Sequence, residues 1–139
     1  MPVERTLAII KPDAVKRGLA CEILGRIHAA NFQIIAIRSM RLTKAQAEGF
    51  YAVHRERPFF PELTEFMSTG KVVAMVLEAE GAIAKWRETM GATDPAKAAA
   101  GTIRHDLGTS IQYNCTHGSD APDTAAFEIG YFFSGSELA

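Results

Sequence analysis

Apolar residues along the chain repeat with two different periods, and the changes of period mark out the elements. Arg5–Ile10 is a short β-rich run that stops at Lys11-Pro12. Proline disfavours helical backbone in the residue before it, so Lys11 is expected at a strand end, with Pro12-Asp13 opening a turn or helix. Ile23, Leu24, Ile27 and Ala30 recur at helical spacing within Leu19–Ala30, and Asn31 is a plausible stop. Phe32–Met40 alternates, with Ile35 and Ile37 expected on one face of a strand. Thr43 is suited to cap a helix over Ala45–Val53. After the break at Arg57-Pro58-Phe59-Phe60-Pro61, a short helix is expected near Glu62–Ser68. Val72–Leu77 is continuously apolar, as a strand covered on both faces would be. Ala82–Met90 predicts a helix, Gly91–Gly101 a loop, and Thr102 the start of a helical turn. Tyr113–His117 predicts a short last strand. Asp120 is the expected N-cap of a final helix running to about Phe133. Strands interleaved with helices in a spacing compatible with βαββαβ favour an α/β or α+β sandwich.

Composition narrows the class. The chain has 139 residues, of which 47% are hydrophobic and 22% charged, so it can bury one core without staples. A single domain over residues 1–139 is expected. The longest purely apolar stretch, Val72–Leu77, is far short of the roughly 18–20 residues that cross a bilayer. Glu4 and Arg5 interrupt the first residues, which do not read as a secretory leader, and Cys21 and Cys115 form no disulfide framework. Cytoplasmic residence is expected. A formal net charge of −1 gives no overall attraction to nucleic acid but is compatible with a local basic pocket.

The candidate chemistry lies in scattered polar residues. The sequence has no P-loop, no GxGxxG, no HExxH and no GxSxG. Cys115-Thr116-His117 lacks the further Cys or His that a tetrahedral zinc site needs. His117 stands at a strand end, beside Gly118 and among Asn114, Ser119 and Asp120, which also suit turns and caps. Glu128 is the only charge in Ala125–Phe133. It either faces solvent or orients a histidine through a hydrogen bond. Lys11, Arg17, Arg87 and Arg104 each suit a solvated surface. Arg87 and Arg104 also bracket Gly91-Ala92-Thr93, and guanidinium forks suit phosphate oxygens. Phe59 and Phe60 lie between prolines. One is expected in the core, while the other can stack on a base.

These residues fall into motifs that resemble the nucleoside diphosphate kinase family nearly end to end. The motifs are Lys11-Pro12-Asp13-Ala14-Val15, Glu48-Gly49-Phe50-Tyr51, Arg57-Pro58-Phe59-Phe60, Gly91-Ala92-Thr93, Gly101-Thr102-Ile103-Arg104 and Asn114-Cys115-Thr116-His117-Gly118-Ser119-Asp120. The last resembles the family's N-x-x-H-G-S-D.

The resemblance implies a ferredoxin-like α+β sandwich with a four-stranded antiparallel sheet. It also implies ping-pong transfer of a γ-phosphate from a nucleoside triphosphate to a nucleoside diphosphate through a phosphohistidine on His117, at Nδ1. By the same resemblance Ser119 and Glu128 would support His117, and Tyr51 would lie near the transferred group. Lys11 and Asn114 would hold the ribose hydroxyls, with Lys11 also near the transferred phosphate. Phe59 would stack on the base, in a slot lined by Leu63 and Ile111. Arg87, Thr93 and Arg104 would grip the phosphates. Mg2+ would ride on the nucleotide, with Asp120 touching it through water. Broad base and sugar specificity and a homo-oligomer, tetramer or hexamer, are also implied.

Three positions depart from the family's usual pattern. Lys71 follows Gly70 where proline is common, and His105 follows Arg104 where a small residue is common. Cys115-Thr116 replaces a small-plus-aliphatic pair. His105 is a candidate modifier of the site's pH response, and Cys115 a candidate oxidation or metal-inhibition point. Two other classes compete with the enzyme: a catalytically silent nucleotide-binding module of the same fold, and a nucleic-acid-binding protein, which the near-neutral charge disfavours.

Overall fold

The computed structural model describes residues 2–139. Four strands form its sheet: β1 (Val3–Ile10), β2 (Gln33–Arg41), β3 (Lys71–Glu80) and β4 (Thr116–Gly118). They lie in the order β2-β3-β1-β4 with every neighbouring pair antiparallel, which is the ferredoxin-like arrangement. The helices are α1 (Pro12–Lys16), α2 (Ala20–Ala29), α3 (Lys44–Phe50), α4 (Phe60–Met67), α5 (Ala82–Met90), α6 (Ile103–Leu107) and α7 (Pro122–Phe132).

Helices cover both faces of the sheet, so the central strands need apolar residues at successive positions. On β1, Leu7 and Ile9 enter one core cluster with Phe50, Val76 and Phe132. Ala8 and Ile10 enter the other with Ile23, Met75 and Trp86. The continuous apolar run of β3 has the same cause.

Local signals place most boundaries. Asn31 ends the turn after α2 at φ 66°, and Thr43 and Gln46 form a reciprocal capping box at the start of α3. α3 stops at Phe50, earlier than its expected end at Val53, and Ala52–His54 tightens into a single 3₁₀ turn.

Three expectations need correction. Ile35 and Ile37 do not share a face: a bulge between Ile34 and Ala36 shifts the phase of β2. Ile35, Ala36 and Met40 therefore pack on the core, while Ile37 is 48% exposed. The last strand starts at Thr116, not Tyr113, because Cys115 has φ 73°, which takes it out of the extended ladder. Its backbone is tied instead to the start of α1. Lys11 N–H donates to the Cys115 carbonyl at 2.8 Å, and Cys115 N–H donates to Asp13 Oδ2 at 3.1 Å. Finally, Asp120 does not cap α7. Thr124 Oγ1 accepts from the backbone N–H groups of Asp120 (3.2 Å) and Ala121 (3.0 Å), and the Asp120 carboxylate turns to Arg87 at 2.7 Å. That ion pair satisfies the carboxylate. Ala121 is the N-cap residue, and the Thr124 N–H of the first turn donates to Asp123 Oδ1 at 2.9 Å.

Candidate active site

A cavity of about 520 Å³ opens where the end of β1, the β4 strand, the loop after α5, α6 and the turn before α4 converge. Of the thirteen residues singled out from the sequence, eleven line it: Lys11, Tyr51, Phe59, Leu63, Arg87, Thr93, Arg104, Ile111, Asn114, His117 and Asp120. The other two, Ser119 and Glu128, stand behind His117 and not in the lining.

β4 holds His117 opposite Ile9. The next strand residue, Gly118, has no room for a side chain. A Cβ on Gly118 would overlap the Trp86 indole and the Met90 methyl. Trp86 also donates its Nε1–H to the His117 carbonyl at 3.1 Å. Phe50 and Tyr51 present their rings edge-on to the imidazole, with centroids 5.3 and 5.9 Å away.

His117 Nε2 lies 3.0 Å from Glu128 Oε1, and the same oxygen accepts from Ser119 Oγ at 2.8 Å. Ser119 in turn accepts from Leu7 N–H at 3.2 Å and is fully buried. The open question about Glu128 is thus answered by a contact: it is not a solvent-facing charge. A carboxylate oxygen only accepts, so Nε2 carries the ring hydrogen in this pair. The neutral imidazole then has its lone pair on Nδ1, the nitrogen not engaged by Glu128.

The cationic wall is unusually dry. Lys11 Nζ donates to Asn114 Oδ1 at 2.9 Å, and Asn114 Nδ2 donates to the Thr93 carbonyl at 3.0 Å. Burial, reinforced by the nearby Arg104 charge, pushes the Lys11 ammonium down to about 8. Arg104 Nη1 donates to the Gly91 carbonyl at 3.1 Å and Nη2 to the Thr116 carbonyl at 2.8 Å. Burial first, and then Arg87, lowers this guanidinium to about 10, so it stays charged at neutral pH. Tyr51 is buried with its hydroxyl unpartnered, and desolvation, with Glu128 nearby, raises its phenol above the ordinary range. These are groups arranged to receive an anion.

The opposite end is open. Phe59 is 43% exposed, with the Arg57 guanidinium 5.6 Å from its ring centroid, while Phe60 packs against the core as expected for one of the pair. Ile111 is exposed beside it. A flat apolar slot of this kind can hold an aromatic ring.

The lining also includes residues the sequence reading did not select, among them His54, Glu62, Gln112 and Thr116. His54 sits one helical step beyond Tyr51, with its ring 5.6 Å from Phe59. Carrying the amphipathic pattern one residue past Val53 would have found it. Conversely, His105 does not line the cavity, and its ring pairs with Asp106 at 2.8 Å. Lys71 is exposed at the start of β3 and does not line the cavity either. Cys115 is buried, and burial with the Asp13 charge raises its thiol to about 11, which disfavours thiolate chemistry there.

Among the described residues no group of three or more His, Cys, Asp or Glu is placed to hold a metal ion. The carboxylates lining the cavity are Glu62 and Asp120. Such a donor set fits a metal that arrives on a ligand's phosphates better than one the protein cages itself.

Comparison with known proteins agrees with this geometry. The nucleoside diphosphate kinase family model matches residues 4–138. The chain is 60% identical over 136 residues to a nucleoside diphosphate kinase of Desulfosudis oleivorans, covering 98% of each chain. It is 59% identical to one of Geotalea daltonii, covering 98% of this chain and 99% of the relative. The Aquifex aeolicus nucleoside diphosphate kinase structure superposes with a TM-score of 0.97 at 50% identity, over 99% of this chain and 100% of the other. A halophilic nucleoside diphosphate kinase from Halobacterium salinarum, solved in complex with CDP, gives 0.94 at 40% identity, over 99% and 92%. A match this long and this similar leaves one reading: the chain belongs to the nucleoside diphosphate kinase family and is a nucleotide phosphotransferase.

Proposed function

We propose that His117 carries the phosphoryl group between nucleotides in a two-step exchange. The observation behind this is the His117–Glu128–Ser119 relay, which ties up Nε2 and leaves Nδ1 as the free base. In the first step Nδ1 attacks the γ-phosphorus of a nucleoside triphosphate. The P–N bond forms as the bond to the bridging β,γ-oxygen breaks, and the nucleoside diphosphate leaves with that electron pair. The ring gains positive charge, which Glu128 offsets through the Nε2–H bond. In the second step a terminal oxygen of a different nucleoside diphosphate attacks the phosphorus, and the electron pair of the broken P–N bond returns to Nδ1. No proton has to leave Nε2 in either direction.

The remaining residues position and neutralise. Arg87, Arg104 and Thr93 grip the phosphates. Lys11 and Asn114 hold the ribose hydroxyls, and Lys11 also faces the transferred group, close to Tyr51. Phe59 stacks on the base between Leu63 and Ile111, and few base-edge contacts are available to discriminate among bases. Asp120 is the carboxylate that would hold, through water, a Mg2+ carried on the nucleotide, and that ion would neutralise phosphate charge. The CDP held by the Halobacterium salinarum relative supports a nucleotide in this cavity. We further infer that residues 1–139 act as one domain, in a homotetramer or homohexamer in the cytoplasm. No helix among the described residues is long and apolar enough to cross a membrane.

The test is direct. After incubation with γ-labelled ATP and magnesium, and removal of nucleotide, the chain should carry acid-labile, alkali-stable label on His117. Adding GDP alone should release that label as GTP. An unlabelled protein that still binds ATP would replace this reading with a silent nucleotide-binding module.

A further inference from the structure

Among the described residues, five buried side-chain polar atoms have no hydrogen-bond partner: Thr6 Oγ1, Asp13 Oδ1, Tyr51 Oη, Arg104 Nε and Thr116 Oγ1. Three belong to residues lining the cavity: Tyr51, Arg104 and Thr116. Unpaired buried polar groups are costly and uncommon, so a cluster of them at one site calls for a cause. Thr116 is the telling one, because an aliphatic residue would fill the same volume with no such cost.

Thr116 and Arg104 are already joined. Arg104 Nη2 donates to the Thr116 carbonyl at 2.8 Å. Side chains alternate along a strand, so Thr116 faces the same side of β4 as Gly118, the side packed by Trp86 and Met90. His117 faces the other side, towards Phe50 and Tyr51. The α5–α6 side is also the one from which Arg104 enters. The two residues therefore carry complementary orphans: an N–H donor on Arg104 Nε and a hydroxyl acceptor on Thr116. Thr116 is 0% exposed, so its hydroxyl does not reach a ligand directly and must act through a neighbour.

We propose that Thr116 is a positioning residue for Arg104: when a phosphate draws the guanidinium into the cavity, Arg104 Nε–H closes on Thr116 Oγ1 and fixes the fork in its gripping orientation. This rests on the reading of Arg104 as a phosphate-binding group. The free protein keeps the hydrogen bond open, and the nucleotide completes it.

The variants Thr116→Val and Thr116→Ser separate this from a packing role. Val keeps the shape and removes the hydroxyl, whereas Ser keeps the hydroxyl. Thr116→Val should raise KM for ADP with magnesium about tenfold, the scale of one hydrogen bond to a charged group, with a smaller change in kcat. Its melting temperature without nucleotide should equal or exceed that of the wild type, and the rise in melting temperature caused by ADP should shrink. Thr116→Ser should restore KM. In an Arg104→Lys background, which has no Nε–H, Thr116→Val should have no further effect on KM.

A wild-type KM in Thr116→Val, or a Ser variant that behaves like Val, would overturn the proposal. If Thr116→Val does not fold, the wild type supplies the readout: the Arg104 Nε–H resonance should move downfield and exchange more slowly when ADP binds, and an unmoved resonance overturns the idea. Failure of the underlying reading looks different. There Arg104→Ala itself would keep its nucleotide affinity and turnover.

Discussion

The two ends of the cavity are built on opposite principles. At the His117 end the groups are buried and interlocked: the side chains of His117 and Glu128 are 17% and 13% exposed, and Ser119 is fully enclosed. At the Phe59 end the ring is 43% exposed, and Ile111 beside it is 59% exposed. A group that must attack along one line has to be held before substrate arrives, and burial makes its hydrogen bonds count. A slot that accepts differing bases gains from contacts that are flat and adaptable. On the proposed reading, rigid chemistry and permissive recognition thus sit at opposite ends of the cavity.

That contrast can be broken by substitution, and the largest effect belongs to the enclosed end. His117→Gln should abolish both the acid-labile label and transfer, leaving nucleotide binding in place. Binding is checked by fluorescence or calorimetry. Arg104→Ala should cost about 2–4 kcal/mol of transition-state stabilisation, measured from kcat/KM, which is the scale of one preorganised electrostatic donor. Full activity in that variant would remove Arg104 from the phosphate grip. Glu128→Gln keeps the shape but loses the charge that offsets the phosphorylated ring. It should lower kcat by an amount equivalent to about 1.5–3 kcal/mol, the scale of a hydrogen bond to a charged group. At the open end, Phe59→Ala should cost about 1–3 kcal/mol in base stacking, towards the lower figure because the ring is partly exposed, and should appear in KM rather than kcat. A kcat effect there as large as that of Glu128→Gln would erase the distinction between the two ends.

The smallest effect concerns protons. Folding lowers the Lys11 pKa from 10.5 to about 8. Between those values the unfolded chain holds a proton that the folded chain has released, so Lys11 adds stability as pH rises through that window, and below it the buried charge is a cost. Cys115 works the other way. Its folded pKa of about 11 exceeds the ordinary 9.0, so its contribution falls as pH rises from 9 to 11. A phosphate beside Lys11 favours the charged form. Nucleotide binding near pH 8.5 should therefore take up protons, seen as a calorimetric enthalpy that varies with the ionisation enthalpy of the buffer. Lys11→Met should lose that dependence, and its persistence would assign the proton to another group.

Much of this was legible from local pattern. Strand and helix periods, the Thr43 cap and the Asn31 stop depend on residues within one or two turns, and the structure keeps them. The cavity lining was legible because the motifs are specific in combination. What escaped is informative. The β2 bulge hides in a run of isoleucines that reads equally well in either phase. The Asp120 carboxylate looks like a cap until Arg87, 33 residues earlier, arrives to pair with it. His105 follows the cavity residue Arg104 directly, yet α6 sets its ring against Asp106.

By itself the sequence determined the element types, the order of the motifs and the family they resemble, because periodicity, capping and motif chemistry are local properties of the chain. Only the tertiary structure decided that Glu128 meets His117 and Ser119, that Lys11 is dry enough to lose much of its basicity, and that Thr116 holds an unpaired hydroxyl on the residue whose carbonyl binds Arg104. Those outcomes depend on burial and on partners brought together by sheet order, and no local spacing encodes either.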